Sequence, residues 1–125
     1  MRSEPLNELF RQGLQYLENV ARGRTDRFER LMLYQITIMG IERCLHGRFE
    51  RFGILPAHHQ GEGLLNELLV NGLLPMDLAE ELRDFMSLAA VHEATLRAEQ
   101  LPWNEEEIRA RAGRFHEAFR TLAAA

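Results

Sequence analysis

The chain predicts an all-α fold, an up-and-down helical bundle of about five helices, and three observations carry that expectation. Leu, Ala, Glu and Arg dominate while Val, Ile and Thr are sparse and scattered, a composition that favours helix over strand. No window alternates apolar and polar residues with the period of two that a half-buried strand needs. Apolar residues recur instead at three- and four-residue spacing, in segments separated by Gly and Pro. With 125 residues, 46% of them hydrophobic, the chain is expected to form a single domain spanning residues 1–125.

The first helix is expected from about Pro5 to Arg22, since proline suits a first turn where its missing N–H costs nothing. Its stripe is Leu6, Leu9, Phe10, Leu14, Leu17 and Val20, and Gly23 follows as a C′ residue. Asp26 with Glu29 reads as a capping box opening a long second helix that runs to Gly53, with Gly40 and Gly47 inside it. Those two glycines mark either a close helix approach or a bend. Residues 54–61 form the one long connection. A short helix bearing Leu64, Leu65, Leu68 and Leu69 then stops near Asn71-Gly72. Pro75 opens a fourth helix with an inner face of Leu78, Leu82, Phe85, Ala89, His92 and Leu96, and Pro102 breaks the chain again. The last start has the clearest signal: Asn104 with Glu107 forms a capping box, Trp103 is placed to staple onto Ile108, and Ile108, Ala112, Phe115, Phe119 and Leu122 give the stripe.

Charge and composition exclude several function classes. The net charge of −4 gives the surface as a whole no reason to seek a phosphate backbone. All 15 basic residues are Arg; guanidinium forks bind phosphates and carboxylates, but a total lack of Lys is more simply read as codon bias. The single Cys44 has no internal disulfide partner, which fits a reducing cytoplasm. Arg2, Glu4 and Glu8 interrupt any signal-peptide-like run, and no apolar stretch nears the roughly 20 residues that cross a bilayer, so no membrane association and a cytoplasmic location are expected.

Few constellations point to chemistry. His58 and His59 are adjacent and diverge on any regular element; with Glu62 they fall short of the three ligands of a catalytic zinc, so no metal site is expected. No cofactor-binding pattern appears either, since there is no Gly-rich phosphate loop between a strand and a helix. Cys44 lies within a helix at a partly buried position, and His46 faces another side of it. Glu42 and His46 stand at i, i+4 without the second motif that a di-iron site requires. Glu80/Glu81 and Glu105/Glu106/Glu107 sit in first turns, where the helix dipole accounts for them. His92 is the residue to watch, because its phase with Phe85, Ala89 and Leu96 places an imidazole toward the interior or a groove.

The stretch LYQITIMGIERCLHGRFERFGILP, followed by LLNELLVNGLLPMDLAEELRDFMSLAAVHE, resembles the HEPN superfamily, and within it the HepT-like group. That resemblance implies a four-helix bundle plus a short extra helix. Active members are metal-independent RNases with an Arg-x4–6-His motif, and HepT-like members carry a Tyr two residues beyond the His. His92 falls on the family's histidine, the sole candidate catalytic residue, while Ser87 holds the arginine position, Leu88 the polar position after it, and Ala94 the tyrosine position. Serine cannot stabilise charge building on a phosphate as an arginine does. Arg83 lies about 180° around the helix from His92. Two other pairs match the bare pattern, Arg51 with His58 and Arg111 with His116.

The expectation is therefore a catalytically degenerate HEPN-like protein that binds rather than cleaves. The resemblance implies a homodimer and a small nucleotidyltransferase as partner, as its substrate-binding subunit or in a toxin–antitoxin-type pair, with RNA a less favoured ligand. The alternatives are an active RNase using His92 or His116, and an unrelated helical adaptor assembling through an apolar stripe on the first or last helix.

Overall fold

The computed structural model describes residues 7–24, 27–58, 61–92 and 95–124, with the backbone alone at 90–92 and 124. They form five helices, α1 (Glu8–Ala21), α2 (Arg30–Arg51), α3 (Gly61–Val70), α4 (Met76–His92) and α5 (Glu105–Ala124), with a 3₁₀ turn at Ala98–Gln100 before the last. No strand occurs among the described residues, and no helix is long and apolar enough to cross a membrane.

The stop signals hold more closely than the starts. α1, α2 and α3 each end in a Schellman motif, with Gly23, Gly53 and Gly72 at positive φ as C′ residues. In each, the glycine N–H and the next N–H reach back to the helix, as Gly53 does to Glu50 O (3.2 Å) and Ile54 to Phe49 O (3.0 Å). α1 starts from Asn7, whose Oδ1 accepts from Phe10 N at 2.9 Å, two residues after the expected start at Pro5, which itself lies outside the described residues. α2 starts at Arg30 with Glu29 as an N-cap lacking a side-chain bond, so Glu29 is not the third residue of a box. Asp26, the other half of that expected box, lies outside the described residues. α4 ends at His92, and Leu96 is buried beyond it rather than on it. The Asn104–Glu107 box is present in both directions, at 2.8 and 2.9 Å.

Gly40 and Gly47 mark a close approach. A Cβ on Gly13 would stand 2.6 Å from Gly40 O and 2.7 Å from Cys44 N, and one on Gly47 would stand 2.7–2.9 Å from Phe10. α1 and α2 therefore run antiparallel with backbone against backbone, through Gly13 on one side and the Gly40, Cys44, Gly47 row on the other. Asn7 adds a bond from its amide Nδ2 to Gly47 O at 2.9 Å, so one side chain caps α1 and ties it to α2.

α2 is the hub. α1 and α5 pair on one flank of it and α3 and α4 on the other, and all four touch it. The core runs between these layers, from Phe10 and Phe119 (edge to face at 6.1 Å) to the cluster of Tyr34, Phe85, Trp103 and Phe115. Trp103 sits in that cluster, with its ring stacked on Phe85 at 4.8 Å.

Three arginines fasten loops and helix ends by donating to main-chain carbonyls. Arg30 reaches Ala98 O (2.6 Å) and Trp103 O (3.3 Å), and Arg109 reaches Val20 O at the end of α1 (2.8 Å). Arg48, buried at 7% exposure, gives Leu73 O two bonds and lies over the Phe52 ring. Burial, with Arg51 nearby, lowers its pKa from the usual guanidinium value.

Gly13→Ala is expected to destabilise by about 1–3 kcal/mol in urea unfolding, because the methyl meets backbone that cannot yield. Gly113→Ala on α5 meets only Ala21 Cβ at 3.4 Å and is expected to stabilise by about 0.5–1 kcal/mol through helix propensity. Equal effects of the two substitutions would overturn this account of the α1–α2 contact.

Candidate functional site

α4 presents the motif positions. Ser87 is exposed on its α3-facing side, and its hydroxyl donates to Asp84 O in the preceding turn at 2.9 Å. Leu88 packs half-buried against the core. His92 is the last residue of α4, and its side chain, like the whole of Ala94, lies outside the described residues. Arg83, the single arginine of α4, turns to α3, donating to Asn66 Oδ1 at 2.7 Å with its Nε 3.3 Å from the Glu62 carboxylate. That Nε is buried and poorly aimed for a hydrogen bond with Glu62, so the contact is an ion pair.

Beneath this segment the hydroxyl of Tyr34, on α2, donates to Phe85 O (2.5 Å) and accepts from Ala89 N (3.2 Å). An α-helix pairs those same two α4 groups with each other, so the Tyr34 hydroxyl meets both ends of one rung of the ladder, a turn before His92. Burial, against the opposing Ala89 N–H bond and with Asp84 adding to the rise, pushes the Tyr34 hydroxyl up to about 12.

The other motif matches do not come together. On α5, Arg111 faces α4, 3.6 Å from Asp84 and over the Trp103 ring, whereas His116 faces α1, 3.8 Å from Glu18. Arg51 lies over the Phe52 ring. His58 belongs to a different constellation: Glu67 accepts from Ala57 N, His58 N and the His58 ring at 2.8–2.9 Å, and the ring lies where a Gly63 side chain would be. These bonds hold the Glu67 carboxyl below its ordinary range and explain the exposed histidine as a loop brace. His59 lies outside the described residues.

Glu42 is likewise structural in placement. Its carboxylate accepts from Gly61 N at 3.1 Å and so caps α3 from α2, while burial raises its pKa against that bond and the nearby His46. Cys44 is fully rather than partly buried in the α1–α2 contact, and burial drives its thiol pKa well up, which leaves no thiolate to react. No group of three His, Cys, Asp or Glu side chains placed to hold a metal ion occurs among the described residues.

A concave feature lies elsewhere. The N-terminal half of α4 and the C-terminal half of α5 enclose a groove of about 620 Å³, floored by Leu78, Ala118 and Leu122. Its α4 wall carries Asp77 and Glu81, and an adjoining depression adds Glu80 and Asp84, so the four form one face of the helix at i, i+3, i+4 and i+7. Arg114 crosses to Glu81 with both ends of its fork and holds that carboxyl below the usual range. The period of this acidic face was legible in the sequence, but attributing Glu80 and Glu81 to the helix dipole hid it.

Tyr34→Phe is expected to cost about 1–2 kcal/mol in urea unfolding, by removing two buried bonds. The pH dependence gives a second readout. The folded-state value, about 12, exceeds the ordinary 10.0, so the unfolded chain ionises first and the stability present below pH 10 is lost as pH rises toward 12. The substitution should flatten that alkaline limb, and an unchanged slope would contradict the placement of the hydroxyl.

No protein-family model, curated protein or solved structure matches this chain.

Proposed function

We propose that this chain is a catalytically degenerate HEPN-like protein that works by binding, as partner or substrate-binding subunit of a small nucleotidyltransferase or as one half of a toxin–antitoxin-type pair. One observation carries the reading. Ser87 occupies the arginine position of the motif and spends its hydroxyl on its own helix, while the only arginine of α4 is engaged with Asn66 and Glu62. In-line attack by a ribose 2′-OH needs a cation on the developing phosphate charge, and that position supplies none. The acidic face of α4 disfavours a polyanion beside it as well.

Cleavage by Arg111 with His116 has no geometric support, because they face different helices. An adaptor assembling through the α1 or α5 stripe finds most of it occupied: Phe10, Leu17, Ile108, Phe115 and Phe119 are already in the chain's own core, and only Leu122 at the end of the α5 stripe reaches a groove. In this proposal the protein is a cytoplasmic homodimer.

Tagged protein recovered from its native host, with the eluate identified by mass spectrometry, is expected to bring down a nucleotidyltransferase. Purified protein is expected to leave single-stranded RNA and tRNA intact. RNA cleavage that vanishes in His92→Ala would replace this proposal with the nuclease.

A further inference from the structure

We propose that the α4–α5 groove is the seat of a basic amphipathic helix from a partner protein, with apolar side chains on the Leu78, Ala118 and Leu122 floor and Arg or Lys along the acidic wall. This rests on the binding-module reading and names the surface it would use.

The first reason is an opening in the helix packing. α4 and α5 both lean on α2, yet their backbones hardly approach each other. What joins them is the Phe85–Phe115 ring contact at 5.4 Å, the Arg114–Glu81 fork and the Arg111–Asp84 pair at 3.6 Å. Toward the start of α4 and the end of α5 these contacts stop, and the groove of about 620 Å³ begins.

The second reason is the pattern of its floor. Pro75 and Leu78 stand three apart on one wall, and Ala118 and Leu122 stand four apart on the other. Two antiparallel walls with helical spacing make a channel that the ridge of a third helix fits, the helix-in-groove mode of recognition.

The third reason, which selects the occupant, is charge. Asp77, Glu80, Glu81, Asp84 and Glu117 surround the groove and its adjoining depression, against Arg111 and Arg114 in the lining and Arg120 paired with Glu117 beside it. These arginines already face carboxylates, Arg114 also feels the charge of Asp77, and no ion pair is seen for Glu80 among the described residues. Such a rim repels phosphate-bearing and acidic ligands and attracts guanidinium or ammonium groups. An apolar floor below an acidic rim matches a helix with leucines on one side and basic residues flanking them.

The test uses the full chain and two fluorescent helical peptides of identical leucine spacing, one with lysines and one with glutamates at the flanking positions, read by anisotropy. The lysine peptide is expected to bind and the glutamate peptide not to bind. Thr121→Arg, at an exposed position of the rim, and Ala118→Arg, on the floor, should each weaken the lysine peptide at least about tenfold, and Asp77→Lys should do so in a salt-dependent way. Circular dichroism of Thr121→Arg, which disturbs no core contact, separates blocking from unfolding. Failure of the lysine peptide to bind, equal binding of both peptides, or binding indifferent to Thr121→Arg overturns the proposal. Host pull-down with Thr121→Arg separates the two readings. A nucleotidyltransferase recovered equally by variant and parent retires the groove and keeps the binding module. Peptide binding without any such partner keeps the groove and retires the module as described.

Discussion

Everything in this fold depends on how near α1 can come to α2. Gly13, Gly40 and Gly47 let the two helices meet with main chain within reach of main chain, and even a methyl group at any of them would stand closer than 3.2 Å to the other helix. Main-chain contact of that kind fixes register as well as distance, since sliding either helix by one residue puts a side chain where only hydrogen fits. The contact also leaves Cys44 sealed inside and puts Phe10 at the edge of α2, where it meets Phe119 of α5. Because α2 is also the element that α3, α4 and α5 touch, setting its depth against α1 sets the depth of the whole bundle.

A second layer of constraint is polar and comes from arginine. Helix ends leave carbonyls without partners, and a short chain has few loops long enough to satisfy them internally. Arg30, Arg48 and Arg109 meet that need from a neighbouring helix, each reaching a carbonyl at a turn or helix end. A guanidinium can bond a carbonyl in its plane while its face lies over an aromatic ring, as Arg48 does over Phe52. The residue type that composition alone attributed to codon usage thus performs structural work at these three positions.

The all-α class, the five helices, the stops at Gly23, Gly53 and Gly72 and the Asn104–Glu107 box were legible in the sequence, because each follows from local chemistry within one turn of chain. The start of α2 at Arg30 was less so, since its N-cap Glu29 makes no side-chain bond to announce it. At the site level Ser87 could be placed on α4 from spacing, but its bond to Asp84 O and the capture of Arg83 by Asn66 depend on neighbours in space. The same holds for the groove, which exists because α4 and α5 diverge from a common support, a relation between distant segments that no window of sequence contains.

The Tyr34 hydroxyl has a mechanical consequence. By bonding both Phe85 O and Ala89 N, it ties a side chain of α2 to the backbone of α4 at two groups one turn apart. The last turn of α4, from Ala89 to His92, is therefore held by the hub of the bundle as well as by its own helix. The position of α2, which the α1–α2 contact sets, is thus communicated to α4 at one oxygen atom, a turn before His92.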